Sequence, residues 1–187
     1  MTLLSNKFMT IKAAAVFCGS KSGNNKIFEQ HTIELAHILA QNGVNIIYGG
    51  GNKGLMGTLA NAAIEKKGNI IGIMPELLKD FEHHHQGLTE LLIVDSMHTR
   101  KKLLYEKCDA AIILPGGYGT LDEVFEMLTW NQLKIHQKDM FIMNSAGFYN
   151  SLINHIETMK DNGFLYEDLS FKIHILSRPS DIISFLK

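Results

Sequence analysis

The sequence has almost no net charge: 18 lysines and arginines stand against 19 aspartates and glutamates, a formal balance of −1. A strongly basic face of the kind that grips nucleic acid is therefore not indicated, although local basic clusters still need an explanation. Cysteine is scarce, two in 187 residues. Cys18 closes an apolar run and Cys108 falls late in an expected helix. Free buried thiols in a reducing compartment are expected in place of a disulfide framework. No apolar stretch approaches the roughly 20 residues that a membrane-spanning helix needs. Lys7 and Lys12 ahead of residues 13–18 faintly imitate a secretory signal. The run is too short for one, and the Gly19-Ser20 that follows reads as a strand entering a loop. The protein is read as cytoplasmic, with neither membrane nor nucleic acid among its partners. Two nucleotide signatures are also missing. No Gly-Lys-Ser/Thr follows a glycine turn, and no G-x-G-x-x-G stands in place with an acidic residue ending the next strand. ATP and NAD are set aside as ligands, and neither a cofactor nor a metal is expected.

Short apolar runs alternating with amphipathic segments make up the rest. Strands are expected at 12–17, 44–48, 69–74, 91–94, 109–114, 140–143 and 173–176. Helices are expected at 27–42, after Gly57 to about 67, at 96–107, from the Gly116 turn to about 136, at 149–162 and from Pro179 onward. Residues 1–11 read as a loose leader and 12–187 as one domain. Strands that are near-continuous apolar runs, each followed by a helix, mean a parallel sheet covered on both faces. The fold class is therefore α/β: a Rossmann-like, doubly wound parallel sheet. Ligands bind such sheets at the carboxyl ends of the strands, where the strand order reverses.

Three loops fall on that edge. Ser20 follows the first strand, Gly49-Gly50-Gly51 the second, and Pro115-Gly116-Gly117-Tyr118-Gly119-Thr120-Leu121-Asp122-Glu123 the fifth. In the last, glycines at 116, 117 and 119 permit positive φ and close approach of a ligand to the backbone. The free N–H groups of the helix that follows suit an anion, most simply a phosphate. Thr120 and Glu123 also fit a capping box, with Thr120 as N-cap and Glu123 at N3, which would make Glu123 structural.

Arg100-Lys101-Lys102 near a helix N-terminus oppose the local dipole, so an anionic ligand or a carboxylate partner should favour them. Arg100 could reach a glutamate such as Glu123 or a substrate phosphate, and Lys101 would be a second point charge. A solvated basic face is the plain alternative. His83-His84-His85 sit in a long loop, and adjacent histidines in extended chain point apart, so solvated loop residues are preferred to a metal site. Phe125, Met127, Leu128, Trp130 and Leu133 wrap widely round their helix. One side is expected against the sheet and the other against a partner, giving a homodimer or a larger homo-oligomer.

With these residues in hand, the sequence resembles the LONELY GUY family of cytokinin riboside 5′-monophosphate phosphoribohydrolases. The likeness runs from Ala15 to about Leu165 and is strongest at 115–123 and 96–101, with 49–57 and 129–136 also similar. The resemblance implies hydrolysis of the N-glycosidic bond of AMP or an N6-substituted AMP, yielding base and ribose 5-phosphate. Arg100 and Glu123 fall on the family's catalytic positions. Glu82, Lys101, Gly117 to Asp122 and Thr129 fall on its substrate-binding positions, beside the glycine turns and Ser20 read above. Asp122 stands where most members have glutamate. Members are often labelled lysine decarboxylases, but no lysine-anchored pyridoxal phosphate site is legible here. A non-catalytic binder of the same fold, similar to molybdenum-cofactor carriers, is the alternative; it would need the phosphate turn but no paired catalytic charges.

Overall fold

Alternation within each apolar run decides which helix layer a side chain joins. Ala14, Val16, Ile46, Tyr48, Ala110, Ile112, Phe141 and Met143 face one side, and Ala15, Phe17, Ile47, Ala111, Ile113, Met140 and Ile142 the other. Successive residues of a strand point to opposite faces, so a run that is apolar throughout must be covered twice. The structure is a computed structural model that describes residues 11–79, 83–166 and 173–186. Its strands are β1 (Ala13–Phe17), β2 (Asn45–Tyr48), β3 (Ile70–Pro75), β4 (Glu90–Val94), β5 (Ala110–Ile113), β6 (Met140–Met143) and β7 (Ile173–Leu176). Its helices are α1 (Lys26–Gln41), α2 (Gly54–Glu65), α3 (Met97–Glu106), α4 (Tyr118–Gln132) and α5 (Asn150–Asp161).

All pairings are parallel and the order is β4-β3-β2-β1-β5-β6-β7. The chain therefore winds outward from β1 to β4, crosses back to β5 beside β1, and winds out the other way. Between β1 and β5 the order reverses, and the register Phe17↔Ile113 brings their carboxyl ends level. A crevice must open there, because the connections leaving the two strands turn to opposite faces. Helices α1 and α2 cover the first face through Leu35, Leu39, Leu59 and Ala63. Helices α3 and α4 cover the second through Leu104, Tyr105, Val124 and Met127.

Two expectations need correction at the ends. Residues 1–10 lie outside the described residues, but Ile11, assigned to the leader, is buried in the core at 2% exposure. The segment from Pro179 to Phe185 forms 3-10 turns and not an α-helix. Its Arg178 and Asp181 bond each other and the local backbone, a tight arrangement that suits a short cap over α1.

Candidate active site

The β5–α4 turn is fixed from both sides. Leu114 N–H donates to the Phe17 carbonyl and Gly19 N–H to that of Pro115, while the Tyr149 hydroxyl donates to the Leu114 carbonyl at 2.8 Å. Helix α4 begins at Tyr118 with Gly117 as its N-cap, and no side chain caps it. The capping-box expectation is therefore wrong. Thr120 already lies inside the helix at the third position, and Leu121 N–H closes the first helical bond onto the Gly117 carbonyl. The amides of Tyr118, Gly119 and Thr120 come too early for helical partners, so they stand at the crevice with the helix dipole behind them.

None of Gly116, Gly117 and Gly119 uses the positive φ that glycine permits. Space explains them instead. A Cβ on Gly116 would lie 2.1 Å from Thr120 Oγ1 and 3.0 Å from the Gly19 nitrogen, whereas one on Gly117 or Gly119 would meet nothing within 4 Å. Gly116 thus lets two loops touch, and the other two leave the amides uncovered.

The turn after β2 is built for a different end. Gly50 and Gly54 do take positive φ, at 79° and 57°. Tyr48 donates its hydroxyl to the Gly51 carbonyl, and His85 N–H to that of Gly50. At Gly49 a Cβ would sit 2.4 Å from Arg100 Nη2. Its absence makes the seat for that guanidinium.

Arg100 enters from α3, whose N-cap is Ser96; its Oγ accepts from Thr99 N–H at 3.1 Å. The basic trio answers to carboxylates on neighbouring turns. Arg100 Nη2 lies 3.4 Å from Glu123 Oε1, with side chains only 9% and 12% exposed. Lys101 Nζ lies 2.8 Å from Glu126 and 3.2 Å from Asp122, and Lys102 makes a surface pair with Glu106. A solvated basic face is excluded for the first two. Burial opposes the charge of Lys101, but bonds from Glu126 and Asp122 outweigh it and raise its pKa. At Cys18 burial, then the Glu123 charge, push the thiol far up, and Arg100 offsets this only in part. Both cysteines are free and buried.

A cleft of about 360 Å³ runs over these groups. It brings together Arg100, Glu123, Ser20, Gly117, Tyr118, Gly119, Thr120 and Asp122. Beside it an apolar hollow of about 410 Å³ shares Gly19, Ser20, Gly117 and Tyr118, and is walled by Gly116, Phe28, Leu55 and Phe148. Five cleft residues went unnoticed as site residues: Cys18, Gly19, Met56, Leu78 and Met97. Met97 had a signal, since it precedes Arg100 by three on one helix face; the others carried none of their own.

Other expected residues lie elsewhere. Lys101 is not in the cleft wall but behind Asp122, in the seam between α3 and α4. Gly49, Gly50 and Gly51 support the cleft without lining it. Leu121 packs against the second core cluster. Thr129 lies on the outer side of α4, in a separate hollow with Phe125, Leu128 and Ile156. Glu82 falls outside the described residues. His85 is held by Asn61 and by Gly87 N–H, His84 by Gln86, and among the described residues no cluster of metal-ligating side chains forms. No described helix is long and apolar enough to cross a membrane.

The family described as "Possible lysine decarboxylase" matches residues 56–186. A protein of Arabidopsis thaliana named cytokinin riboside 5′-monophosphate phosphoribohydrolase is 41% identical over 150 residues, 80% of this chain and 70% of that one. One of the same name from Rhodococcoides fascians is 41% identical over 157 residues, 83% of this chain and 79% of that one. Among solved structures, the molybdenum cofactor carrier protein of Chlamydomonas reinhardtii superposes with a TM-score of 0.70 at 17% identity, covering 92% of this chain and 93% of the carrier. At that identity the likeness is one of fold alone.

Proposed function

The chain belongs to the LONELY GUY family of cytokinin riboside 5′-monophosphate phosphoribohydrolases, and from that premise we propose how its cleft hydrolyses the N-glycosidic bond of AMP or an N6-substituted AMP. The phosphate docks on the uncapped amides of Tyr118, Gly119 and Thr120, where donors and helix dipole both favour an anion. Ser20 faces the same space from the β1 loop. Glu123, one turn further into α4, then lies beside the ribose. By analogy with O-glycosides, cleavage passes through an oxocarbenium-like state with positive charge growing on the sugar. The Glu123 carboxylate stabilises that charge and orients or deprotonates the attacking water. Arg100, seated on Gly49, keeps Glu123 aimed. Binding energy from the remote phosphate positions the sugar for the reaction.

The observation that carries this reading is the Arg100–Glu123 pair, nearly sealed from solvent at the mouth of an uncapped helix. A decarboxylase of the pyridoxal type would need a lysine in the cleft wall, and among the described residues lining it there is none. A carrier of the same fold has no use for the buried pair. Release of adenine from AMP, followed by chromatography, tests the reading: Glu123→Gln and Arg100→Ala should each lose on the order of a hundredfold or more. Full activity in both would overturn the site; tight AMP binding without turnover in the native protein would favour the carrier.

The outer face of α4 supports self-association. Met127 is fully buried on the sheet side, while Phe125 and Leu133 stay exposed on the other, with Ile135 just beyond. A second copy docked on this face is also the arrangement that would bring Thr129 to a cleft, that of the other copy. Sedimentation as a clean monomer at micromolar concentration would remove the dimer. The two free thiols support a reducing, cytoplasmic setting.

A further inference from the structure

Glu123 and Arg100 belong to different helices, so their separation depends on how α3 and α4 are locked together. The lock lies one turn behind the cleft. The Tyr105 hydroxyl donates to Glu126 Oε2 at 2.9 Å and also approaches the backbone carbonyl of Glu123 at 3.3 Å. Glu126 in turn accepts from Lys101 Nζ, which reaches forward to Asp122 in the cleft wall. Accepting the hydrolase reading, we propose that Tyr105 and Glu126 are positioning residues of this active site, setting the register between α3 and α4 at which Arg100 meets Glu123 and Lys101 supports Asp122.

The surroundings make Tyr105 a rigid post. Its ring is 1% exposed and meets Phe17 and Trp130 edge-on, at 6.1 and 5.1 Å between centroids. Its own carbonyl accepts from Lys138 Nζ. Burial, then Glu126, hold the phenol protonated, so it remains a donor throughout the working pH range. Electrostatics require the lock too. Asp122, Glu123 and Glu126 crowd the first turns of α4, and α3 supplies two cations, Arg100 and Lys101, against these three anions. Cys18, which also faces Glu123, is a neutral thiol. The Tyr105 hydroxyl is a neutral donor that steadies Glu126 without adding another charge. Without it Glu126 competes for Lys101, Asp122 loses its support, and the Glu123 backbone is released.

Tyr105→Phe keeps the ring packing and deletes only the donor. Measured well below its melting temperature, it should show kcat lowered about tenfold, the scale of a small misplacement of catalytic groups. KM should change less than about twofold, because the phosphate amides lie at the other end of the turn. Glu126→Gln should do the same. The double variant should lose little more than either single one, as expected of two parts of one device. Unchanged kcat in the folded variants, a rise in KM that accounts for the whole loss, or fully additive losses would each overturn the proposal. If the native protein releases no base at all, the hydrolase reading fails separately. The lock is then read without turnover, from the ¹⁵N resonances of the Arg100 guanidinium. Altered signals in Tyr105→Phe support the register role, and unaltered ones refute it.

Discussion

Two glycine turns sit on the same edge of the sheet, each between a strand and a helix, and they use glycine for opposite purposes. The turn at 49–54 is filled. Positive φ at Gly50 and Gly54, a guanidinium against Gly49 and a bridge between Gly51 and His84 pack it on every side. The turn at 116–119 is left open, with ordinary backbone angles and empty space where two side chains could be. The filled turn seats the Arg100 guanidinium; the open one leaves amides uncovered, as the proposed phosphate site requires. Adding a methyl group to each should therefore separate stability from activity.

The largest effect should come from Gly54→Ala. Its φ of 57° is costly for a side chain, and the Cβ would lie 2.4 Å from the Ser20 carbonyl carbon and the Lys21 nitrogen. Strain and overpacking together should cost about 3 kcal/mol. For a chain of this length that is a fall in Tm of roughly 10 °C; a variant that melts like the native protein would contradict the packed turn. Gly49→Ala comes next and differs in kind. The clash is with the movable end of Arg100, so stability should fall by only about 1 kcal/mol. Displacing the guanidinium by about 1 Å should cost on the order of a hundredfold in kcat. At the open turn, Gly119→Ala meets no atom and sits within a helix, so stability should hold or rise by up to about 1 kcal/mol. KM for AMP should nevertheless rise about tenfold as the methyl shields the amides, and an unchanged KM would place the phosphate elsewhere.

The same contrast marks what the sequence made legible. A strand such as Met140–Met143 falls where its apolar run puts it, because a strand buried on both faces has no other way to satisfy its side chains. The approach of Arg100 to Glu123 was one of two open alternatives, since opposite charges at the mouths of neighbouring helices have few other places to go. The start of α4 misled because Thr120 and Glu123 have capping-box spacing, while the true N-cap, Gly117, has no side chain to announce itself. The seat under Arg100 was invisible for a related reason. Gly49 acts through a contact with a residue 51 positions away, and local pattern carries no record of that. Met56 and Leu78 gave no site signal of their own, because a cleft wall and a core wall use the same apolar residues.

The smallest predicted effect concerns the clamp on the filled turn. His83 and His85 strap it through backbone bonds to Asn52 and Gly50. The ring of His85 is fixed by its neutral form: Nδ1 accepts from Gly87 N–H, which leaves the proton on Nε2 to donate to Asn61 Oδ1, both at 3.0 Å. Burial lowers its pKa below the ordinary 6.5. The unfolded chain therefore takes up the proton first as pH falls, so this contribution is present above pH 6.5 and is lost progressively below it. Protonation would also remove the acceptor for Gly87. Because the ring is only partly buried, the difference in Tm between pH 7.5 and 5.5 attributable to it should be only about 1 °C, and His85→Asn should abolish that increment. The open turn has no such histidine, so KM for AMP at the two pH values should not follow the increment. A KM that shifted with His85 would mean that the two turns are coupled and that filled and open are not separate roles.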